Sequence, residues 1–214
     1  AASVAATIWV IHRIGRRLAV SPQLTYAAAL AIVLHPSGSR MIESGWTEPL
    51  LVVGAALFVY FALDNPKGIG QAATFLLLPA LKQYVIAPTV LYLIRGRHTV
   101  QLRAVVAAGA IGAATVLPFL IWNWQATLSG IVFQMQAPTV PRLGSTSLVA
   151  LMATTAGVYP GRWMSPVVQL IVGGLAWWRL KDQGLSGLML ASALSLYATF
   201  LVGWQAFVNY YYFV

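Results

Sequence analysis

An all-α bundle of transmembrane helices follows from three features of the sequence. Its composition is too apolar for water, its apolar runs recur at membrane length, and its basic residues sit in short clusters between those runs. Of the 214 residues, 59% are hydrophobic and 8% charged, with a mean hydropathy of +0.78, where a soluble globular domain carries about 25% charged residues. Continuous apolar stretches cover residues 49–63, 104–122, 165–178 and 185–213, and several approach the roughly 20 residues that cross a bilayer core. The expectation is one integral membrane domain over residues 1–214, with about six to eight membrane segments and no soluble domain.

The formal charge of +9 would suggest nucleic acid in a soluble protein, but clusters between apolar runs are explained better by orientation, because cytoplasmic loops collect Lys and Arg. Arg13, Arg16 and Arg17, then Lys67, then Arg95, Arg97 and Arg103, then Arg179 and Lys181 are assigned inside, which accounts for nine of the 13 basic residues. Arg40, Arg142 and Arg162 fall in outer loops, and Lys82 lies within an apolar segment. With no cysteine, disulfides and thiolate metal sites are excluded. Ala1 stands where an initiator Met would, and the last apolar run is still open at Val214, so the chain is expected to be part of a longer protein, cut at both ends. Residues 1–11 are too short, and their charge order is wrong, for a signal peptide.

Taken in order, residues 18–34 run outward with Pro22 near the start, and residues 35–48 form an outer loop rich in Gly, Ser and Pro. Residues 49–63 return inward. The next segment, 69–94, cannot be one crossing if Lys67 and Arg95 share a side. It contains Pro79, Lys82, Gln83 and Pro88 near its middle, and proline removes a helical donor and clashes with the preceding turn. A re-entrant hairpin of two short helices with residues 82–84 at its tip fits both facts; non-helical backbone at that depth is tolerated where protein or a wet cavity surrounds it. A single span with Arg95 outside is the rival. Residues 104–122 then run outward into a long external segment, 123–162. Residues 165–178 come back, and 185–206 leave again, placing residues 209–212 at the outer surface. Gly109 with Gly112, and Gly173 with Gly174, are the places where helices could approach closely.

Lys82 is the residue most in need of explanation. A cation near the bilayer centre costs roughly 2.5–3.5 kcal/mol on insertion scales, and about 12 residues, or about 18 Å of straight helix, separate it from either end of its segment, beyond the snorkelling reach of a lysine stem. Its obvious task is to hold a phosphate or carboxylate. Glu43 and Glu48 are the only glutamates, with Arg40 upstream and Trp46 between them. For Glu48 the competing account is capping, since Thr47, Glu48 and Pro49 stand where a helix begins. Asn209 and Tyr210 follow Trp204 and Gln205; an aromatic interface belt explains the tyrosines equally well. Trp122, Trp124, Trp177 and Trp178 read as interface anchors. His35 before Pro36 reads as loop structure, and no spacing of His, Asp or Glu makes a metal site.

The order of these features resembles a known family. His35-Pro36, then residues 43–50 (Glu43-Ser44-Gly45-Trp46-Thr47-Glu48-Pro49-Leu50), then a Gly-containing run ending in Leu81-Lys82-Gln83-Tyr84, and finally Asn209-Tyr210-Tyr211 look like the middle and later part of GT-C membrane glycosyltransferases, in particular the polyprenyl-phosphate-mannose-dependent mannosyltransferases of glycosyltransferase family 87. That resemblance implies transfer of a sugar, mannose, from a polyprenyl-phosphate donor to a hydroxyl acceptor of a lipid or glycan on the extracytoplasmic face of a prokaryotic plasma membrane, with inversion. Lys82, Arg40, Glu43, Glu48, Gln83, Tyr84, Asn209 and Tyr210 become the substrate-contacting set. No cofactor is implied, and any divalent-metal requirement is not legible. The family's catalytic acid lies in its first outer loop; residues 1–11 supply none, so the base is expected outside this chain. A secondary transporter or lipid flippase, with Lys82 as anion site on a discontinuous helix, is the alternative from another class; a structural membrane subunit without chemistry is a third.

Overall fold

The computed structural model describes residues 2–34, 48–65, 68–96, 101–129, 147–161 and 163–203. Every regular element among them is helical. The helices α1 (Ala2–Arg17) and α2 (Pro22–Val33) come first. Pro22 occupies the first turn of α2, where its missing N–H costs nothing, and the Ser21 hydroxyl accepts from Leu24 N–H at 3.3 Å. At 12 residues, α2 is about 18 Å long and shorter than its apolar run, because the turn through Ala19 (φ 52) consumes the first residues.

Next come α3 (Glu48–Asp64), with Pro49 in its first turn as expected, and α4 (Ile69–Leu81). They pack antiparallel, and three contacts set their register. A Cβ on Gly54 would meet the Leu78 side chain, the Phe58 and Phe75 rings lie 4.5 Å apart, and a Cβ on Gly70 would lie 3.2 Å from the Phe61 ring. Extended by one turn, this register brings the start of α3 level with Lys82.

The expected break in residues 69–94 is present. Lys82 leaves α4 in extended conformation (φ −152, ψ 125), a 3-10 turn follows at Gln83–Val85, and α5 (Ile86–Gly96) begins. The ring centroids of Phe75 and Tyr92 are 4.8 Å apart, whereas 17 residues of straight helix would separate them by about 25 Å. The chain therefore doubles back. Phe58, Phe75 and Tyr92 form one aromatic cluster, and with Leu51, Leu78, Val85, Ala104 and Leu188 they make the core. This hairpin stands in the middle, with α3 against one arm.

Helix α6 (Leu102–Leu128) packs on α4. Its first stretch ends at Trp122 as the sequence suggests, for Asn123 is non-helical (φ −153, ψ 89). The expected long loop is partly helical, however. The Asn123 Oδ1 accepts from Ala126 N–H at 2.9 Å and restarts the helix as far as Leu128. A further helix, α7 (Leu148–Ala156), begins where the Ser147 hydroxyl accepts from Ala150 N–H at 3.2 Å, and it ends at Gly157.

The last pair is α8 (Met164–Leu180) and α9 (Gly184–Leu201). The Ser165 hydroxyl donates to the Thr199 carbonyl at 3.2 Å and the Ser195 hydroxyl to the Gln169 carbonyl at 3.1 Å, so the two run antiparallel. Gly173 lies at their crossing, where a Cβ would come within 2.8 Å of the Ser195 hydroxyl, while Gly109, Gly112 and Gly174 face open space. The turn at Lys181–Gln183 is closed by Gly184 (φ 60), and Gly187 packs under the Leu180 carbonyl. Helices α5, α8 and α9 form a second group joined to α3 and α4 through the hairpin.

Two stretches, Leu102–Leu128 and Met164–Leu201, are long and apolar enough to cross a membrane; the second is a hairpin with arms of 17 and 18 residues. Along α6 the apolar side chains face outward: Phe119 is 57% exposed, Ile121 82% and Trp122 85%. A core helix of a soluble protein would bury them, and such a surface marks contact with an apolar medium or partner.

The core and the outer face should respond differently to truncation. Phe75→Ala empties the aromatic cluster and is expected to destabilise by about 3 kcal/mol, read as a lowered thermal midpoint of the protein in lipid nanodiscs. Phe119→Ala should leave that midpoint unchanged.

Candidate functional site at the hairpin tip

Among the described residues, the helices gather Arg13, Arg16, Arg17, Arg103, Arg179 and Lys181 at one end. Arg17, at the end of α1, pairs with Asp64, at the end of α3, at 2.8 Å; it also donates to the Tyr60 hydroxyl at 3.1 Å and stacks over that ring at 4.1 Å. The pair is partly exposed (31% and 56%), so it contributes about 1 kcal/mol at most and acts mainly to pin α1 to α3. Helix α4 starts here and α5 ends here, because they are the arms of the hairpin. Helix α6 begins a short connection later with Arg103. Tyr84 lies beside Gln169, and Leu91 beside Gly173, so α8 runs alongside α5 and delivers Arg179 and Lys181 to the same end. Arg179 stacks on Trp178 at 5.0 Å; Trp122, Trp124 and Trp178 are exposed, whereas Trp177 packs against the core.

Lys82 stands at the opposite end. It is half-buried and caps α4, its backbone N–H donating to the Leu78 carbonyl at 3.2 Å and its carbonyl accepting from Val85 N–H at 3.2 Å. The C-terminal end of α4 favours a cation there. The first turns of α3, α5 and α8 reach the same end and present backbone N–H groups, which favour an anion. Helix α4 has 13 residues, about 20 Å of rise, against the roughly 30 Å of a bilayer core. Gln169, which bonds to the tip, lies five residues after Met164, so the tip stops roughly 8 Å short of the start of α8. Lys82 is thus recessed within the bundle.

Of the residues singled out in the sequence, Lys82 and Tyr84 come together at the tip with the backbone of Gln83, and the first turn of α3, with Glu48, arrives level with them. The side chains of Glu48 and Gln83 lie outside the described residues, as do Arg40, Glu43, His35, Asn209 and Tyr210. Tyr84 stacks edge-on against Phe200 with centroids 5.0 Å apart, so α9 finishes at the same end. The sequence has four acidic residues, of which Asp64 and Asp182 are both at the basic end. Among the described residues no group of His, Asp and Glu is arranged to hold a metal ion.

Two features escaped the sequence reading. Gln169, buried in α8, donates its Nε2–H to the Tyr84 carbonyl at 2.7 Å. Beneath the tip lies an apolar cavity of about 100 Å³ between Leu78, Val85 and Pro88 of the hairpin and Met189, Ser192 and Leu196 of α9. The buried Ser192 hydroxyl has no hydrogen-bond partner among the described residues. Polar residues inside an apolar span were the available signal for both. In comparisons with known proteins, no family model, curated protein or solved structure matches this chain.

The two-ended arrangement can be read chemically, since the chain has no cysteine of its own. In sealed vesicles, Arg16→Cys, Arg103→Cys and Lys181→Cys should react with a membrane-impermeant maleimide from one and the same face, and Lys82→Cys should be inert from that face. Labelling of any of the first three from the other side would contradict the shared basic end.

Proposed function

We propose that this chain is part of a multi-pass membrane glycosyltransferase that moves a sugar, mannose, from a polyprenyl-phosphate donor to a hydroxyl acceptor at the extracytoplasmic side of a prokaryotic plasma membrane. The observation that carries the reading is the position of Lys82: a half-buried lysine at a helix break, at the end of the bundle opposite Arg17, Arg103 and Arg179. By the tendency of Lys and Arg to remain cytoplasmic, the tip opens toward the outer leaflet. A lipid phosphate is a fair leaving group, so a transferase needs a cation for the departing phosphate and a carboxylate base for the acceptor hydroxyl. Lys82 supplies the first. The second comes from outside this chain, with Glu43 and Glu48 in substrate contact alongside Arg40, Gln83, Tyr84, Asn209 and Tyr210. The apolar cavity under the tip suits hydrocarbon next to the phosphate. The resemblance of residues 43–50 and 81–84 to GT-C enzymes supports the same assignment.

The helix break also favours a second reading, an anion transporter or lipid flippase with Lys82 as its site on a discontinuous helix. Lys82→Met should abolish sugar transfer from polyprenyl-phosphate-linked mannose in membranes containing the full protein, while expression and melting temperature stay unchanged, and Lys82→Arg should keep part of the rate. Wild-type transfer by the methionine variant would remove Lys82 from the reaction. Anion or lipid flux that depends on Lys82, in a protein with no transfer activity, would favour the transporter.

A further inference from the structure

The Tyr84 carbonyl stands at the head of α5, whose i+4 position relative to it is a proline. In an α-helix the carbonyl of one residue accepts the N–H four residues on. Four residues after Tyr84 stands Pro88, which has no N–H to give. Gln169 occupies that vacated role from another helix. Its Nε2–H donates to the Tyr84 carbonyl at 2.7 Å across 85 residues of sequence, and the side chain is 7% exposed. Gln169 is itself fixed, because its own carbonyl accepts the Ser195 hydroxyl at 3.1 Å from α9. The next carbonyl of the hairpin, that of Val85, accepts the Thr89 hydroxyl at 3.0 Å, so the tip is tied on successive residues.

We infer that Gln169 is a positioning residue for the site: by replacing the N–H that Pro88 removes, it sets the height and orientation of the 82–85 turn and therefore where the Lys82 ammonium stands. The inference rests on the reading of Lys82 as a clamp for lipid phosphate. Tyr84 is held on both flanks, by Gln169 of α8 at its carbonyl and by Phe200 of α9 at its ring, so the turn cannot pivot without breaking one of them. An apolar residue at 169 would remove the hydrogen bond to the Tyr84 carbonyl.

Binding of polyprenyl monophosphate to the full protein in nanodiscs tests this, with Lys82→Met, Gln169→Leu, Pro88→Ala and their pairs, each checked by a melting curve. Gln169→Leu is expected to weaken binding about tenfold. Combined with Lys82→Met it should add nothing to the loss from Lys82→Met alone, since residues acting through one contact are not additive. Pro88→Ala restores an N–H at position 88, so Gln169→Leu with Pro88→Ala should recover most of the binding; a Gln169→Leu chain that folds only in that background supports the same role. Unchanged binding in Gln169→Leu, a loss that adds fully to that of Lys82→Met, or failure of Pro88→Ala to restore binding overturns the inference. Unchanged binding in Lys82→Met overturns the reading of Lys82 on which it stands.

Discussion

Two prolines decide the shape of this molecule. Pro79 and Pro88 lie on either side of Lys82, and each deprives the helix of a donor; α4 runs through Pro79 as far as Leu81, and the break comes at Lys82. The chain reverses at Gln83–Val85, and the reversal lets Phe75 meet Tyr92 and both meet Phe58. Aromatic rings bury more area than any other side chains and gain further from edge and tilted contacts. The cluster they form is the centre on which α3 and the two arms converge. Without the reversal there would be no shared core, and Lys82 would sit in mid-helix with no tip to carry it.

The same reversal gives the bundle its electrical polarity. Because α4 and α5 run antiparallel, the start of α4 and the end of α5 lie at one end of the bundle, with Arg17, Arg103, Arg179 and Lys181. Among the described residues, Lys82 is the cation at the other end, beside the start of α3 and of α8. Separation of this kind costs little at the basic end, where the groups are hydrated and Arg17 meets Asp64. At the tip Lys82 is half-buried, and the terminal carbonyls of α4 favour a cation there.

How far this was legible from residues alone differs from place to place. The helix break was legible, since two prolines and a lysine inside one apolar run favour a hairpin over a single span. The counting of charges put Arg17, Arg103, Arg179 and Lys181 on one side, and the helices bring these to one end; Lys67, Arg97 and the Arg95 side chain lie outside the described residues. Helix lengths were less visible: the run at 18–34 looked long enough for a full span, but a cap at Ser21 and the turn at Ala19 shorten it. Residues 123–162 read as loop because of their Gln, Pro and small residues, yet Asn123 and Ser147 each start a helical segment through a side-chain acceptor. Gln169 was passed over altogether. A lone amide in a span declares that it has a partner but not which one, and Tyr84 is 85 residues away. Of the candidate site, Lys82 and Tyr84 stand on one turn and the start of α3 is level with it; the loop with Arg40 and Glu43 and the segment with Asn209 and Tyr210 lie outside the described residues.

The turn between α8 and α9 has a mechanical meaning. Gly187 sits so tightly under the Leu180 carbonyl that a methyl group there would collide with backbone, and backbone cannot yield as a side-chain end can. The two helices would be levered apart about that fulcrum. A tilt of about 5° carried along the 11 residues from Leu180 to Gln169 displaces the amide by about 1.5 Å, more than a hydrogen bond tolerates. A glycine at the basic end thereby governs the alignment of a carbonyl at the far end, and the bundle transmits strain along its length as a stiff beam does.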